Sequence, residues 1–212
     1  MAASSERPVS HNFMNAPEAG GPTLLYSLVV VAASAGGLTA LATLLADLPG
    51  DFPLPVVVVQ HLDPHHHSVL AQILDRRTAL RVKEAAEGDD LTAGVVYVAP
   101  ADHHVMVGPG RSIELNRGER VHFLRPAADH LFASASRVCG PVIAVVLTGT
   151  GTDGAAGIMS VKAAGGTVIA QDEASSEFFG MPQAAVETGS VDLVLPLNRI
   201  GAALVDLAAT TS

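Results

Sequence analysis

The stretch Leu28-Val-Val-Val-Ala-Ala-Ser-Ala-Gly-Gly-Leu38-Thr-Ala-Leu-Ala-Thr-Leu-Leu-Ala-Asp47-Leu48 decides how the rest of the chain is read. Its first half is a continuous apolar run rich in valine, which suits a strand buried on both faces. Gly36-Gly37 then breaks the run. Beyond it Leu38, Leu41, Leu44, Leu45 and Leu48 recur at helical spacing, with Thr39, Thr43 and Asp47 between them. The pattern predicts a buried strand, a tight turn and an amphipathic helix. Two rivals compete with it. No charge falls between Thr23 and Ala46, a length that could span a bilayer, and Leu24–Val31 followed by Ala33-Ser34-Ala35 imitates a signal-peptide core. Against both, the nearest upstream cation is Arg7, Glu18 intervenes, and paired glycines would weaken a spanning helix. The expectation is a cytoplasmic chain without membrane insertion.

Working outward, residues 1–22 are mostly small and polar and read as a flexible tail, leaving 23–212 as one domain. Downstream the text alternates. Pro55-Val-Val-Val-Val-Gln60 reads as a second buried strand. A His-rich loop follows, then a helix near 68–77, capped by Ser68 with Leu70, Ile73 and Leu74 facing inward. Leu80–Lys83 and Val95–Val98 read as strands, and His104–Val107 with Ile113–Leu115 across Gly108-Pro109-Gly110 as a β-hairpin. The α/β rhythm then resumes: helix 129–138, strand 142–147, helix 155–164, strands 167–170 and 191–195, and a last helix near 198–207. The fold class expected is α/β, a doubly wound and mostly parallel sheet covered by helices on both faces, with a small antiparallel hairpin insertion.

Composition narrows the function. The 212 residues are 49% hydrophobic, enough for one sizeable core. Twelve Lys and Arg stand against 21 Asp and Glu, for a net charge of −9, which disfavours a nucleic-acid partner. Cys139 is the single cysteine and reads as a small packed residue in a reducing compartment rather than a redox centre.

In open α/β sheets, ligands bind at the carboxyl ends of strands, so polar residues just past strands are the candidates. Three places qualify. Ser34 follows the first strand at a strand-to-helix turn, where helix-N-terminal amides could stabilise an oxyanion; the plain alternative is an N-cap serine. His61 ends the second strand and could serve as a general base. Asp63, His65, His66 and His67 around it invite a metal, but Pro64 interrupts the helix that would bring His61 and His65 to one face, so no metal is expected. The third place is Leu147-Thr-Gly-Thr-Gly-Thr-Asp-Gly154, which contains G-x-G-x-x-G after a strand. With Asp172 about twenty residues further on, it supports a rival reading, a nucleotide-binding oxidoreductase using Gly149, Gly151 and Gly154. Read differently, it holds Asp153 in a glycine-rich turn. Ser34, His61 and Asp153 then supply nucleophile, base and orienting carboxylate at one edge of one sheet, a constellation that needs no fixed chain order.

At these residues the chain resembles the catalytic domain of the chemotaxis protein-glutamate methylesterases, the CheB family, from about Leu28 to Leu207. The family's G-A-S-x-G-G turn appears as Ala32–Gly37, its Q-H strand end as Gln60-His61 and its L-T-G-M-G-x-D-G loop as Leu147–Gly154. Tyr97–Pro100 with His103 and His104, Arg125–Asp129, Ala170–Ala174 and Phe179–Pro182 add to the likeness. The resemblance implies a doubly wound fold and a triad of Ser34, His61 and Asp153. It implies support for the oxyanion from Ala35, Gly36, Gly37, Thr150 and Gly151. The implied substrate is the glutamyl γ-methyl ester on the cytoplasmic helices of methylated chemoreceptors, with methanol released, receptor glutamine deamidation as a second activity, and no metal or organic cofactor. Ala32 stands for the family's glycine and Thr150 for its methionine, which keeps a non-catalytic receptor-binding module as a third reading. About 27 residues precede the first strand, too few for the family's receiver domain of a hundred residues or more. Constitutive activity, or control by a separate regulatory protein, is therefore expected.

Overall fold

The computed structural model describes residues 25–61, 69–121 and 123–209. The tail expected over 1–22, His65–His67 and the Ser68 cap lie outside the described residues. Seven parallel strands form the main sheet: β1 (Val29–Ala33), β2 (Val56–Gln60), β3 (Arg81–Glu84), β4 (Val95–Val98), β7 (Ile143–Val146), β8 (Thr167–Gln171) and β9 (Leu193–Leu195). Their order is β3-β4-β2-β1-β7-β8-β9, so β1 lies at the centre and the winding reverses on its two sides. β5 (His104–Gly108) and β6 (Ser112–Asn116) make a separate antiparallel hairpin joined by a 3₁₀ turn over Pro109–Arg111.

Strand periodicity divides the core into two. Val29, Val31 and Ala33 of β1 face one side with Val56 and Val58 of β2. There they meet α1 (Gly37–Ala46), α2 (Leu70–Asp75) and α6 (Leu197–Ala208) through Leu41, Leu44, Leu45, Leu70, Leu74, Ile200 and Leu204. Val30 and Ala32 face the other side, against Leu131 and Phe132 of α3 (Ala128–Cys139), Ile158 and Val161 of α4 (Ala155–Ala163) and Met181 of α5 (Gly180–Glu187). The hairpin packs on that second side through Val105, Val107 and Ile113. Both faces are covered, which is why the central strands read as unbroken apolar runs.

Two local expectations are corrected. Gly36, with φ +76, caps α1 without a side-chain bond, so Ser34 is not an N-cap serine. Secondly, no helix was expected between 170 and 191, yet α5 occupies 180–187. Its Pro182 falls in the first turn, where the missing N–H would have had no intrahelical partner.

Candidate active site

The three strand ends expected to carry chemistry are neighbours. β1 pairs with β2 on one side and β7 on the other, with Ala33 opposite Gln60 and Ala32 opposite Val146. Ser34 and His61 each stand one step past the Ala33–Gln60 pair, which makes them cross-strand neighbours about 4.8 Å apart along the ladder. The bond from the His61 amide to the Ala33 carbonyl, at 3.1 Å, continues that ladder. Asp153 reaches the same place from the loop after β7: its Oδ2 lies 2.7 Å from His61 Nε2.

That carboxylate is fixed on every side. Its Oδ2 also accepts from the Ala128 amide at 2.6 Å, and Oδ1 accepts from the Asp129 amide at 3.2 Å. Both donors open α3, whose N-terminus favours negative charge. Asp129 in turn accepts from the Gly157 amide at 2.7 Å, tying α4 into the support. Burial alone would push the Asp153 carboxyl up. The hydrogen bonds from His61 and from the Ala128 and Asp129 amides outweigh it and hold the group below the ordinary carboxylate range. An ionised carboxylate only accepts, so the proton between the two residues sits on His61 Nε2. Nδ1, the nitrogen nearer the backbone, is the one left without that proton in the neutral ring.

The turn that carries Ser34 is held by its surroundings. The Ser34 amide donates to the Thr148 carbonyl at 3.0 Å, and its carbonyl accepts from Gly37 at 2.8 Å and from Gln60 Nε2 at 2.8 Å. Gln60 Nε2 also donates to the His61 carbonyl at 3.1 Å, so one buried carboxamide fastens both turns. Its Oε1 is buried without a hydrogen-bond partner and fills the space a Gly37 side chain would need. Thr148 Oγ1 donates towards the Ala35 carbonyl at 3.1 Å and accepts from the Phe178 amide at 2.9 Å. Gln171 Oε1 accepts from the Thr148 amide at 2.9 Å. Gln60, Thr148 and Gln171 were not singled out as site residues. Their signal was present nonetheless: each is the first polar residue to follow an apolar run.

Of the supporting residues read from the sequence, Gly37 spends its amide on Ser34, while Ala35 and Gly36 sit half-buried beside it. Among the described residues, the Ala35, Gly36 and Thr150 amides take no partner. Thr150 and Gly151 are exposed at the tip of the glycine loop, Gly151 with φ +88. Ala32 lies inside β1 in extended backbone, so its methyl carries no conformational cost.

The dinucleotide reading loses its footing here. The Gly149 amide donates to Phe178 at 2.9 Å, its carbonyl accepts from Met181 at 2.8 Å, and Met181 Sδ occupies the space beside it. A pyrophosphate would need that face of the loop. Asp172 is also engaged, its Oδ1 accepting from Ser175 N at 2.9 Å and Ser175 Oγ at 2.6 Å. Among the described residues, no group of three or more His, Cys, Asp or Glu could hold a metal, and no helix is long and apolar enough to cross a membrane.

The chain is similar to known proteins over most of its length. Residues 29–204 match the CheB methylesterase family. The chain is 44% identical over 191 residues to protein-glutamate methylesterase/protein-glutamine glutaminase 2 of Caulobacter vibrioides, covering 88% of this chain and 55% of the relative. It is 46% identical over 180 residues to a Myxococcus xanthus protein-glutamate methylesterase, covering 84% and 54% respectively. The chain thus spans about half the length of these two relatives. The crystal structure of the Thermotoga maritima CheB methylesterase catalytic domain superposes with TM-score 0.83 at 38% identity, over 87% of this chain and all of that one. With the fold, the strand-end motifs and these likenesses in agreement, the chain belongs to the CheB methylesterase family.

Proposed function

We propose that this protein is a protein-glutamate methylesterase that hydrolyses glutamyl γ-methyl esters on methylated chemoreceptors. The observation that carries the reading is the 2.7 Å His61–Asp153 bond beside a serine one step past the adjoining central strand. Ser34 Oγ attacks the ester carbonyl while His61 Nδ1 takes its proton. Asp153 holds the ring in the Nε2–H tautomer and stabilises the imidazolium. The open amides of Ala35, Gly36 and Thr150 are the donors for the developing oxyanion. Methanol leaves with the proton from His61. A water, deprotonated by the same nitrogen, then attacks the glutamyl-serine ester and releases the glutamate carboxylate. Glutamine deamidation uses the same acyl transfer with ammonia as leaving group, in keeping with the names of the relatives.

The test is methanol released at neutral pH from methylated chemoreceptor membranes by the protein and by Ser34→Ala. Serine-dependent release is the expected result. Equal release by both would overturn the assignment, and no release would shift weight to receptor binding without catalysis.

A further inference from the structure

The segment from Arg117 to Arg125 links β6 to α3, and Phe123 within it carries a cost that its own burial does not repay. Val121 and Leu124 exchange two backbone hydrogen bonds, at 3.1 and 2.8 Å, beside a turn at Phe123. Phe123 at that turn is 92% exposed and has φ +67. A bulky side chain in the left-handed region is disfavoured, and a fully exposed aromatic ring gains nothing from burial.

The turn is nevertheless built firmly onto the catalytic rim. Arg125 donates Nε and Nη2 to Asp102 Oδ1 at 3.0 and 2.6 Å, and Nη1 to the Arg117 and Gly118 carbonyls at 3.0 and 2.8 Å. Asp102 sits in the loop beyond the carboxyl end of β4. Buried His104 donates Nε2 to the Glu119 carbonyl at 3.0 Å and accepts the Ala127 amide on Nδ1 at 3.2 Å. The next residue, Ala128, binds the triad carboxylate. One imidazole therefore ties the base of the turn to the residue next to the Asp153 anchor.

The charges around Phe123 are equally distinctive. Arg117, Arg120 and Arg125, with Glu119 among them, fall within nine residues of a chain whose net charge is −9. Arg125 is consumed by the scaffold. Arg117 spends only Nε, on His103 Nε2 at 3.0 Å, and the nearest carboxylate to Arg120 is Asp102 at 3.7 Å, beyond hydrogen-bond length. Both arginines are exposed. An exposed aromatic flanked by arginines with donors to spare has the composition of an interface hot spot.

We propose that this turn is the docking element for the protein that bears the ester. The Phe123 ring packs against an apolar side chain of the substrate, and Arg117 and Arg120 receive carboxylates near the esterified glutamate. The proposal rests on the methylesterase reading. The turn's place on the triad's own rim favours the substrate over other occupants, and a glutamate-bearing segment supplies the complementary charge.

The experiment measures initial methanol release against the concentration of methylated chemoreceptor membranes, with the γ-methyl ester of N-acetylglutamate amide as a small-substrate control. Phe123→Ala should raise KM for the membranes about tenfold, leaving kcat and small-ester turnover unchanged. Phe123→Gly should do the same while holding or raising Tm, because glycine relieves the left-handed backbone. Arg117→Glu with Arg120→Glu should raise KM further. Membrane KM within twofold of wild type, with the wild type active, overturns the docking role alone. Loss of small-ester turnover in step with membrane turnover also overturns it, since the turn would then serve the triad. Dimerisation abolished by Phe123→Ala would assign the turn to a second copy instead. Absence of Ser34-dependent release by the wild type removes the enzymatic reading itself, and the docking role with it.

Discussion

Asp153 shows how much a single residue is asked to do. Its two oxygens take three donors, one from the imidazole and two from the start of α3. Replacing it with Asn puts an NH₂ group against at least one of those N–H groups. Asp153→Asn should therefore lower kcat about 10⁴-fold, by losing the tautomer that leaves Nδ1 free. Leaving a buried donor unpaired should also cost about 1–3 kcal/mol of stability. Methanol-release kinetics and a denaturant melt check the two effects separately; unchanged kcat would show that the carboxylate does not orient the base. Gln60 makes the complementary point. Gln60→Leu keeps the volume but removes both donors to the Ser34 and His61 carbonyls. Labelling of Ser34 by a fluorophosphonate should slow at least tenfold, because about 1.4 kcal/mol of misplacement corresponds to that factor. Unslowed labelling would mean the two turns hold themselves.

At the scale of elements, the packing of α3 on α4 sets what the site can tolerate. A Cβ at Gly157 would lie 2.7 Å from Phe132 Cβ and 3.0 Å from the Asp129 Cα. Gly157→Ala should destabilise by about 1–3 kcal/mol, as overpacking does, and should push Asp129 away from the carboxylate it supports. A thermal melt checks the first effect; an unchanged Tm would show that the helices can slide apart cheaply. This scale also marks the limit of reading from sequence. β1, α1, β2 and β7 were legible because they are buried on both faces or regularly amphipathic, and the polar residues beyond the strands marked Ser34, His61 and Asp153 as candidates. α5 was not, because Pro182 reads as a breaker unless the helix start is known, and only the packing of Met181 over Gly149 reveals that start. The roles of Thr148 and Gln171 were hidden for a related reason. A side chain that bridges two loops has partners distant in sequence, such as Ala35 and Phe178 for Thr148.

Across the whole molecule, stability should depend on pH in two windows with the same sign. Burial holds the His104 imidazole below its usual 6.5, in keeping with an Nδ1 that must stay unprotonated to accept the Ala127 amide. As pH falls below about 6.5, the unfolded chain takes up a proton that the folded chain refuses, so stability drops towards the native value. Asp153 acts likewise at lower pH: its contribution is present above the unfolded carboxylate value near 3.9 and is lost as pH falls towards the native one. Tm should therefore decline from pH 8 to pH 5. In His104→Gln, which can still accept from Ala127 and donate to Glu119, the decline should be shallower. An identical slope in both proteins would assign the effect elsewhere.

The orientation of the His61 ring has a spectroscopic consequence. With Nε2 bearing the proton and facing a fixed carboxylate, the pyridine-type nitrogen of the neutral ring is Nδ1. In a ¹⁵N correlation spectrum of labelled protein, the His61 nitrogen with the large downfield shift should thus be the one bonded to Cγ.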